Sequence, residues 1–371
     1  MAEDDADRPG LLTKRMLVTL SHAIEQAALA PGGDGPVVVL ALFQRVTYFD
    51  REREAYRRLA DHADVVVVGF ADDFHPELPG RAHPVLLELD EPLAREWSIV
   101  VVTRETGAYL VAHDEERVSP GERTLEAGRL FSGRWGFRRD RAVEEARRLR
   151  RQLDSRLPPG ALMIIDEVLG EPGEPAVDFA GQRNEASLRL LTGEMDRARR
   201  RSLVLQERLD RFTPSGDRDP ASRLHTDAYL RRWVGATRSS ATGPLPLALV
   251  LVVLDELRDA EARYGSRAAR QALTGVATAI AGRLGPGDRA VRLGDDEFLL
   301  VAPGATLSQA SVVGQQVSAD IAELGDGYPF LPLAPIVAVA VSRERPLPVR
   351  QLRRGVEWAR SAGVQVAALP S

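Results

Sequence analysis

The sequence contains no cysteine. That excludes a disulfide framework, a thiolate nucleophile and any cysteine-ligated metal. Lysine is nearly absent too: Lys14 is the only one, and arginine, mixed with Glu and Asp along the chain, carries the remaining basic charge at a formal net charge of −5. No segment builds the one-signed basic face of a nucleic-acid binder, and no helix-turn-helix is recognisable, so no nucleic-acid partner is expected. Long apolar runs are missing. The longest, from Leu245 to Leu254 and broken by Pro246, falls far short of the roughly 20 residues needed to span a bilayer. The opening Met1-Ala-Glu-Asp-Asp-Ala-Asp is acidic, unlike the basic start of a signal peptide. These absences point to a cytoplasmic protein without a membrane partner.

What is present fits two domains with real cores. The chain has 371 residues, 44% hydrophobic and 28% charged, ordinary values for a soluble globular protein. Residues 1–10 read as a disordered tail. From Leu11 to about Ala30, the residues Leu12, Met16, Leu20, Ala23 and Ala27 recur at helical spacing. Val37–Phe43 and Val65–Phe70 read as buried strands around a charged helix, Arg51–His62, and this order predicts parallel pairing in an α/β layer. Glu96–Val102 and Ala108–Ala112 read as a hairpin, Arg129–Phe137 as a strand, Asp140–Leu157 as a helix, and Ala161–Ile165 as a strand closing the sheet. The histidines His22, His62, His75, His83 and His113 are scattered, without the close helical pairing that a metal site favours. They are expected at surface or cap positions.

The connector carries a heptad repeat. Leu188, Met195, Ser202 and Leu209 fall on one seam position and Leu191, Ala198, Leu205 and Phe212 on the other, with charged residues between them. Thr213-Pro214-Ser215-Gly216 ends the helix, which is roughly 39 Å long at about 1.5 Å per residue. A helix packed on its own domain and a parallel homodimer both fit the pattern; the dimer is the preferred reading, with its weak middle at Ala198 and Ser202.

Further on, Arg292-Leu293-Gly294-Asp295-Asp296-Glu297-Phe298 reads as strand, tight turn, strand. Gly294 is expected to supply a backbone angle that other residues resist. Three consecutive acids at a turn tip suit either a solvated hairpin loop or a divalent cation with a phosphorylated ligand, because hard cations take oxygen ligands.

Two family resemblances organise these observations. The pattern Ala41-Leu-Phe-Gln44, Tyr48-Phe49, Tyr56-Arg-Arg-Leu-Ala60 and Pro92–Trp97 resembles the DICT domain, which implies input sensing or partner docking over about residues 12–158. Gly294, Asp296, Glu297 and Phe298 resemble the GGDEF signature of diguanylate cyclases, with Asp295 in place of the second glycine. For an active member the resemblance implies two Mg²⁺ ions and GTP. This chain departs from that pattern where chemistry resides. The family's opening motif keeps only Asp219 and Leu224, the first metal-ligand position holds Val253, and the guanine-reading Asn and Asp become Glu261 and Arg270. Valine cannot ligate Mg²⁺, and Arg270 cannot accept a hydrogen bond. The C-terminal Lys-x-x-Gly pattern survives as Arg360-Ser-Ala-Gly363, leaving Arg360 as a phosphate cation, and the inhibitory Arg-x-x-Asp site reads Gly285-Pro-Gly-Asp288.

The fold expected is therefore α/β in both domains: an α/β sensory domain (11–170), a coiled-coil connector (186–213) and a degenerate GGDEF-like α/β domain (219–371). No catalytic residue is expected. Gly294, Asp295, Asp296, Glu297 and Phe298 stand as a vestigial signature, and the domain is expected to serve, under control of the sensory domain, for docking an unknown protein partner or for regulation, with no cofactor. The alternative is a residual cyclase or GTP-binding module in which Asp296, Glu297 and Arg360 hold nucleotide and metal. The dimer reading predicts that light scattering at tens of micromolar finds a dimer that Leu205→Asp converts to a monomer; a monomer throughout contradicts it.

Overall fold

The computed structural model describes residues 9–29, 35–44, 46–72, 76–88, 90–120, 122–170, 188–195, 197–199, 201–202, 205, 216–235, 245–326 and 332–369. The chain divides into two compact units, one of residues 1–115, 129–202 and 238–243, the other of 116–128, 203–237 and 244–371. Both are α/β. Residues 1–8 of the expected N-terminal tail, His75 and the seam residues Leu209 and Phe212 lie outside the described residues, and Gly10, expected in that tail, opens a strand.

The first unit is built on a seven-stranded sheet. Its strands are β1 (Gly10–Thr13), β2 (Val38–Gln44), β3 (Val65–Phe70), β4 (Ala82–Leu86), β5 (Glu96–Val102), β6 (Gly107–Val118) and β7 (Arg129–Gly136), in the order β1-β7-β6-β5-β2-β3-β4. The β2–β3 pair is parallel, as the strand–helix–strand pattern predicts, and β5 and β6 are antiparallel neighbours. Both faces of the central strands are buried, which is why they read as continuous apolar runs. Val39, Ala41, Val66 and Val68 pack beneath the helices Lys14–Ala28 and Val46–His62, whereas Val38, Leu40, Val65 and Val67 share a core with Arg139–Leu153 and Pro159–Gly170. The alternation follows from the two-residue period of a strand.

Two expectations are corrected here. The segment before Lys14 is not helical: Gly10–Thr13 pairs with β7 as an edge strand, and Thr13 caps the helix by accepting the Met16 amide at 3.4 Å. Ala161–Ile165 is not a strand closing the sheet but part of the helix Pro159–Gly170. Ala161, Ile165, Val168 and Leu169 are buried at helical spacing while Met163 is 73% exposed, and a short apolar run does not distinguish the two periods.

The described start of the connector, 188–195, is helical. Leu188 packs against the core of the first unit, Thr192 is buried, and Arg189 lies over the Trp135 ring at 4.7 Å while donating to the Trp135 carbonyl at 3.0 Å. Leu191, Met195, Ala198 and Leu205 are exposed. Leu188 thus faces its own domain, and the seam residues beyond it turn outward.

The second unit holds a six-stranded sheet of β8 (His225–Thr226), β9 (Leu247–Val253), β10 (Arg289–Arg292), β11 (Glu297–Pro303), β12 (Ile336–Ser342) and β13 (Val366–Ala368), ordered β13-β12-β9-β11-β10-β8. Ala248, Val250, Val252 and Leu254 share one core with the helices Ala260–Gly282 and Leu307–Asp326; Leu247, Leu249, Leu251 and Val253 share the other with Asp227–Val234 and Val349–Ala362. Among the described residues no helix is long and apolar enough to cross a membrane.

The helical placement of 159–170 gives a direct check. Ile165→Ala is expected to cost about 2–4 kcal/mol in denaturant unfolding, whereas Met163→Ala stays within about 0.5 kcal/mol. Equal costs contradict the assigned face.

Candidate functional site

The acidic turn closes the antiparallel pair β10–β11. The Leu293 and Gly294 amides both donate to the Glu297 carbonyl, at 2.9 and 3.4 Å, and the Asp296 carbonyl accepts the Leu254 amide at 2.9 Å. The turn is thereby stitched to the end of β9. Gly294 lies outside the left-handed region, and a Cβ added there meets only ordinary contacts. The expectation of a special backbone angle is therefore corrected: hydrogen bonds shape this turn, not glycine's freedom.

Each acid of the turn faces an arginine. Asp296, 7% exposed, is paired with Arg258 from the short helix Asp255–Arg258. Glu297 accepts a two-pronged contact from Arg353, at 2.7 and 3.0 Å. Asp295 is 85% exposed at its side chain and lies 3.4 Å from Arg292. Arg292 also donates to the Gly294 carbonyl at 2.9 Å and to Asp219 at 3.0 Å. Hydrogen bonding to Asp296 and Glu297 holds the Arg258 and Arg353 guanidinium groups more firmly protonated than usual. The concentrated negative charge expected at the turn is thus matched within the same unit. Phe298 is fully buried.

Around the turn, the other expected positions divide. Val253 stands opposite Glu297 of β11 and Ile336 of β12, and is buried in the apolar cluster with Leu251 and Leu299. Arg360 lies in the last turn of Val349–Ala362, pairs with Asp255 at 2.5 Å and sits 3.6 Å from Glu357. Gly363, at φ 68°, ends that helix in the left-handed conformation glycine favours. Glu261 and Arg270 are exposed and lie on either side of a break at Gly265. Arg270 lines an open groove of about 940 Å³ with Arg267, Thr274 and Asp320. Asp288 caps its own turn, accepting the Gly285 amide at 2.7 Å, and burial pushes its carboxyl upward. The arrangement brings Asp219, Asp296 and Glu297 to one end of the sheet, clamped by arginines, and keeps Arg360 on Asp255.

Sequence reasoning missed a second cluster. His22 and Glu25 stand one turn apart on Lys14–Ala28, and Glu52 faces them from Val46–His62. His22 is exposed, as expected of a surface histidine, and its Nε2 lies 3.1 Å from Glu52 Oε2. Burial, followed by the neighbouring Glu52, pushes the Glu25 carboxyl up to about 8. The i,i+3 pair His22–Glu25 was visible in the sequence; Glu52 arrives only through the packing of two helices.

Comparison with known proteins yields two family matches. The model for the "Sensory domain in DIguanylate Cyclases and Two-component system" (DICT) matches residues 1–115, and that for "Diguanylate cyclase, GGDEF domain" matches 217–329. No curated protein matches. Similar solved structures include the GGDEF domain of DgcB from Caulobacter crescentus in complex with c-di-GMP, at 14% identity over 42% of this chain and 97% of that one, TM-score 0.36. The diguanylate cyclase SiaD from Pseudomonas aeruginosa, in complex with its activator SiaC, is 19% identical over 62% of this chain and 87% of that one, TM-score 0.38. The FimX GGDEF domain from the same organism is 17% identical over 42% of this chain and 100% of that one, TM-score 0.35.

Asp219 offers a pH test of the clamp. Burial alone would raise its carboxyl, but bonds from the Ser222 amide and hydroxyl and from Arg292 hold it below the ordinary range. A depressed folded value contributes stability above the unfolded value, near 3.9, that is lost as pH falls through the folded one. Wild type is expected to melt above Asp219→Asn at neutral pH, with the gap closing below about pH 4. A gap that widens on acidification contradicts the assignment.

Proposed function

We propose that this chain is a cytoplasmic signalling protein in which a DICT-type sensory domain controls a GGDEF-type domain that does not make cyclic di-GMP and serves instead as a docking or regulatory surface. We further propose that it works as a dimer joined through the connector helix. One observation carries the reading: the acids of the signature turn are engaged by arginines of the same unit, and a buried valine stands where the family pattern needs a metal-binding carboxylate. In the family reaction two metal ions neutralise the triphosphate and activate the attacking hydroxyl. Here Arg258 and Arg353 already supply positive charge to Asp296 and Glu297.

The other departures act in the same direction. Glu261 can accept from a guanine edge but not donate, and Arg270 can donate but not accept. A site built on complementary hydrogen bonds discriminates by about 10⁴-fold, and non-complementary groups forfeit that basis. The turn is left as a surface of paired charges, suited to recognition by shape and rim contacts.

The second reading, residual GTP binding or turnover, is supported by the match of 217–329 to the cyclase family model. Purified full chain incubated with GTP and Mg²⁺ or Mn²⁺ and followed chromatographically is expected to yield no cyclic di-GMP above background. Val253→Asp alone is not expected to restore it. Product that vanishes in Glu297→Ala would favour the second reading.

A further inference from the structure

The two facing helices of the first unit border a cavity of about 130 Å³ lined by Lys14, His22, Glu25, Phe43, Glu52 and Trp97. One nitrogen and two carboxylate oxygens, one from each of the three side chains, lie within 4.8 Å of one another. His22 Nε2 and Glu52 Oε2 are 3.1 Å apart. A tetrahedral ion with bonds of about 2.0–2.2 Å spaces its donors roughly 3.4 Å apart, so two of the three already stand near the separation a single ion imposes. Glu25 is 3% exposed, and a buried carboxylate close to a second one requires a cation or a proton.

An independent observation comes from Tyr56. Its side chain is fully buried, and its hydroxyl stands against the Glu25 carboxylate with Glu52 nearby. A donor held beside a ligating carboxylate is the usual outer support of a metal centre, where bound carboxylates are themselves hydrogen-bonded. Two further lining residues are joined, with Trp97 Nε1 donating to Ser21 Oγ at 3.1 Å.

We infer that His22, Glu25 and Glu52 form a binding site for one divalent transition-metal ion, with Tyr56 orienting Glu25. One imidazole and two carboxylates form a borderline-hard donor set of the kind that Zn²⁺ takes. Three protein donors leave a fourth position toward the cavity, open to water or a small ligand. The inference does not rest on the reading of the GGDEF-type domain, because it concerns the other unit and is measured without GTP.

The test uses tag-free full chain stripped with chelator and titrated with Zn²⁺ by calorimetry. Co²⁺ absorption reports on geometry and melting on folded-state binding. One Zn²⁺ per chain at micromolar affinity or better is expected, with a higher melting temperature and visible Co²⁺ bands of low coordination number. His22→Gln and Glu52→Gln should each weaken binding at least tenfold, and Tyr56→Phe less. Because His22 is half exposed, its replacement should leave the metal-free melt unchanged, which separates lost binding from lost fold. No saturable binding overturns the inference, and so does binding that survives His22→Gln together with Glu52→Gln or is abolished by Glu297→Ala instead.

Discussion

The second unit depends on β9, an entirely apolar strand hydrogen-bonded to β11 on one side and β12 on the other. Every residue from Leu247 to Leu254 is buried, and alternate side chains belong to opposite cores. Fully burying one such side chain contributes about 1.5–3 kcal/mol, so the strand anchors the sheet and sets the register of its neighbours. That register puts Glu297 opposite Val253 and lets the Leu254 amide fasten the turn at Asp296. The strand that positions the acidic turn therefore offers it an aliphatic neighbour, and carboxylates reach the turn from other elements.

Arginine completes the arrangement. A guanidinium stays protonated across the accessible pH range and grips a carboxylate with two parallel donors, where an ammonium would act as a point charge. Arg353 approaches Glu297 in this way, and Arg283, at the end of the helix Ala260–Gly282, does the same with Asp320 of the helix Leu307–Asp326. Exposed pairs of this kind add little stability singly. Their effect at the turn is on charge: Asp296, Glu297 and Asp255 each have a partner drawn from a neighbouring helix.

Strong periodicity made much of the fold legible in the sequence. Val65–Phe70 is buried on both faces and matches β3 residue for residue, and the apolar run from Leu247 is β9. What escaped was short or chemically mixed. Gly10–Thr13 is an edge strand whose leucines fit a helical pattern equally well. Ala82–Leu86, another edge, carries Pro84, which is tolerated there because an edge strand can spare a donor. At the turn, the identities of Asp296, Glu297 and Val253 could be read directly, but the partners could not: Arg258 and Arg353 are distant in sequence and reach the acids only through the fold. Glu52 joined His22 and Glu25 for the same reason.

The burial of Val253 also bears on what the position tolerates. A carboxylate at this position would enter an apolar cluster with Leu251, Leu299 and Val291, beside acids already paired. Such a change lowers stability, since an unpaired buried charge is costly. At this position the packing of the sheet, and not the chemistry of the turn, sets the cost of an acidic side chain: the aliphatic residue works as a plug between strand and helices.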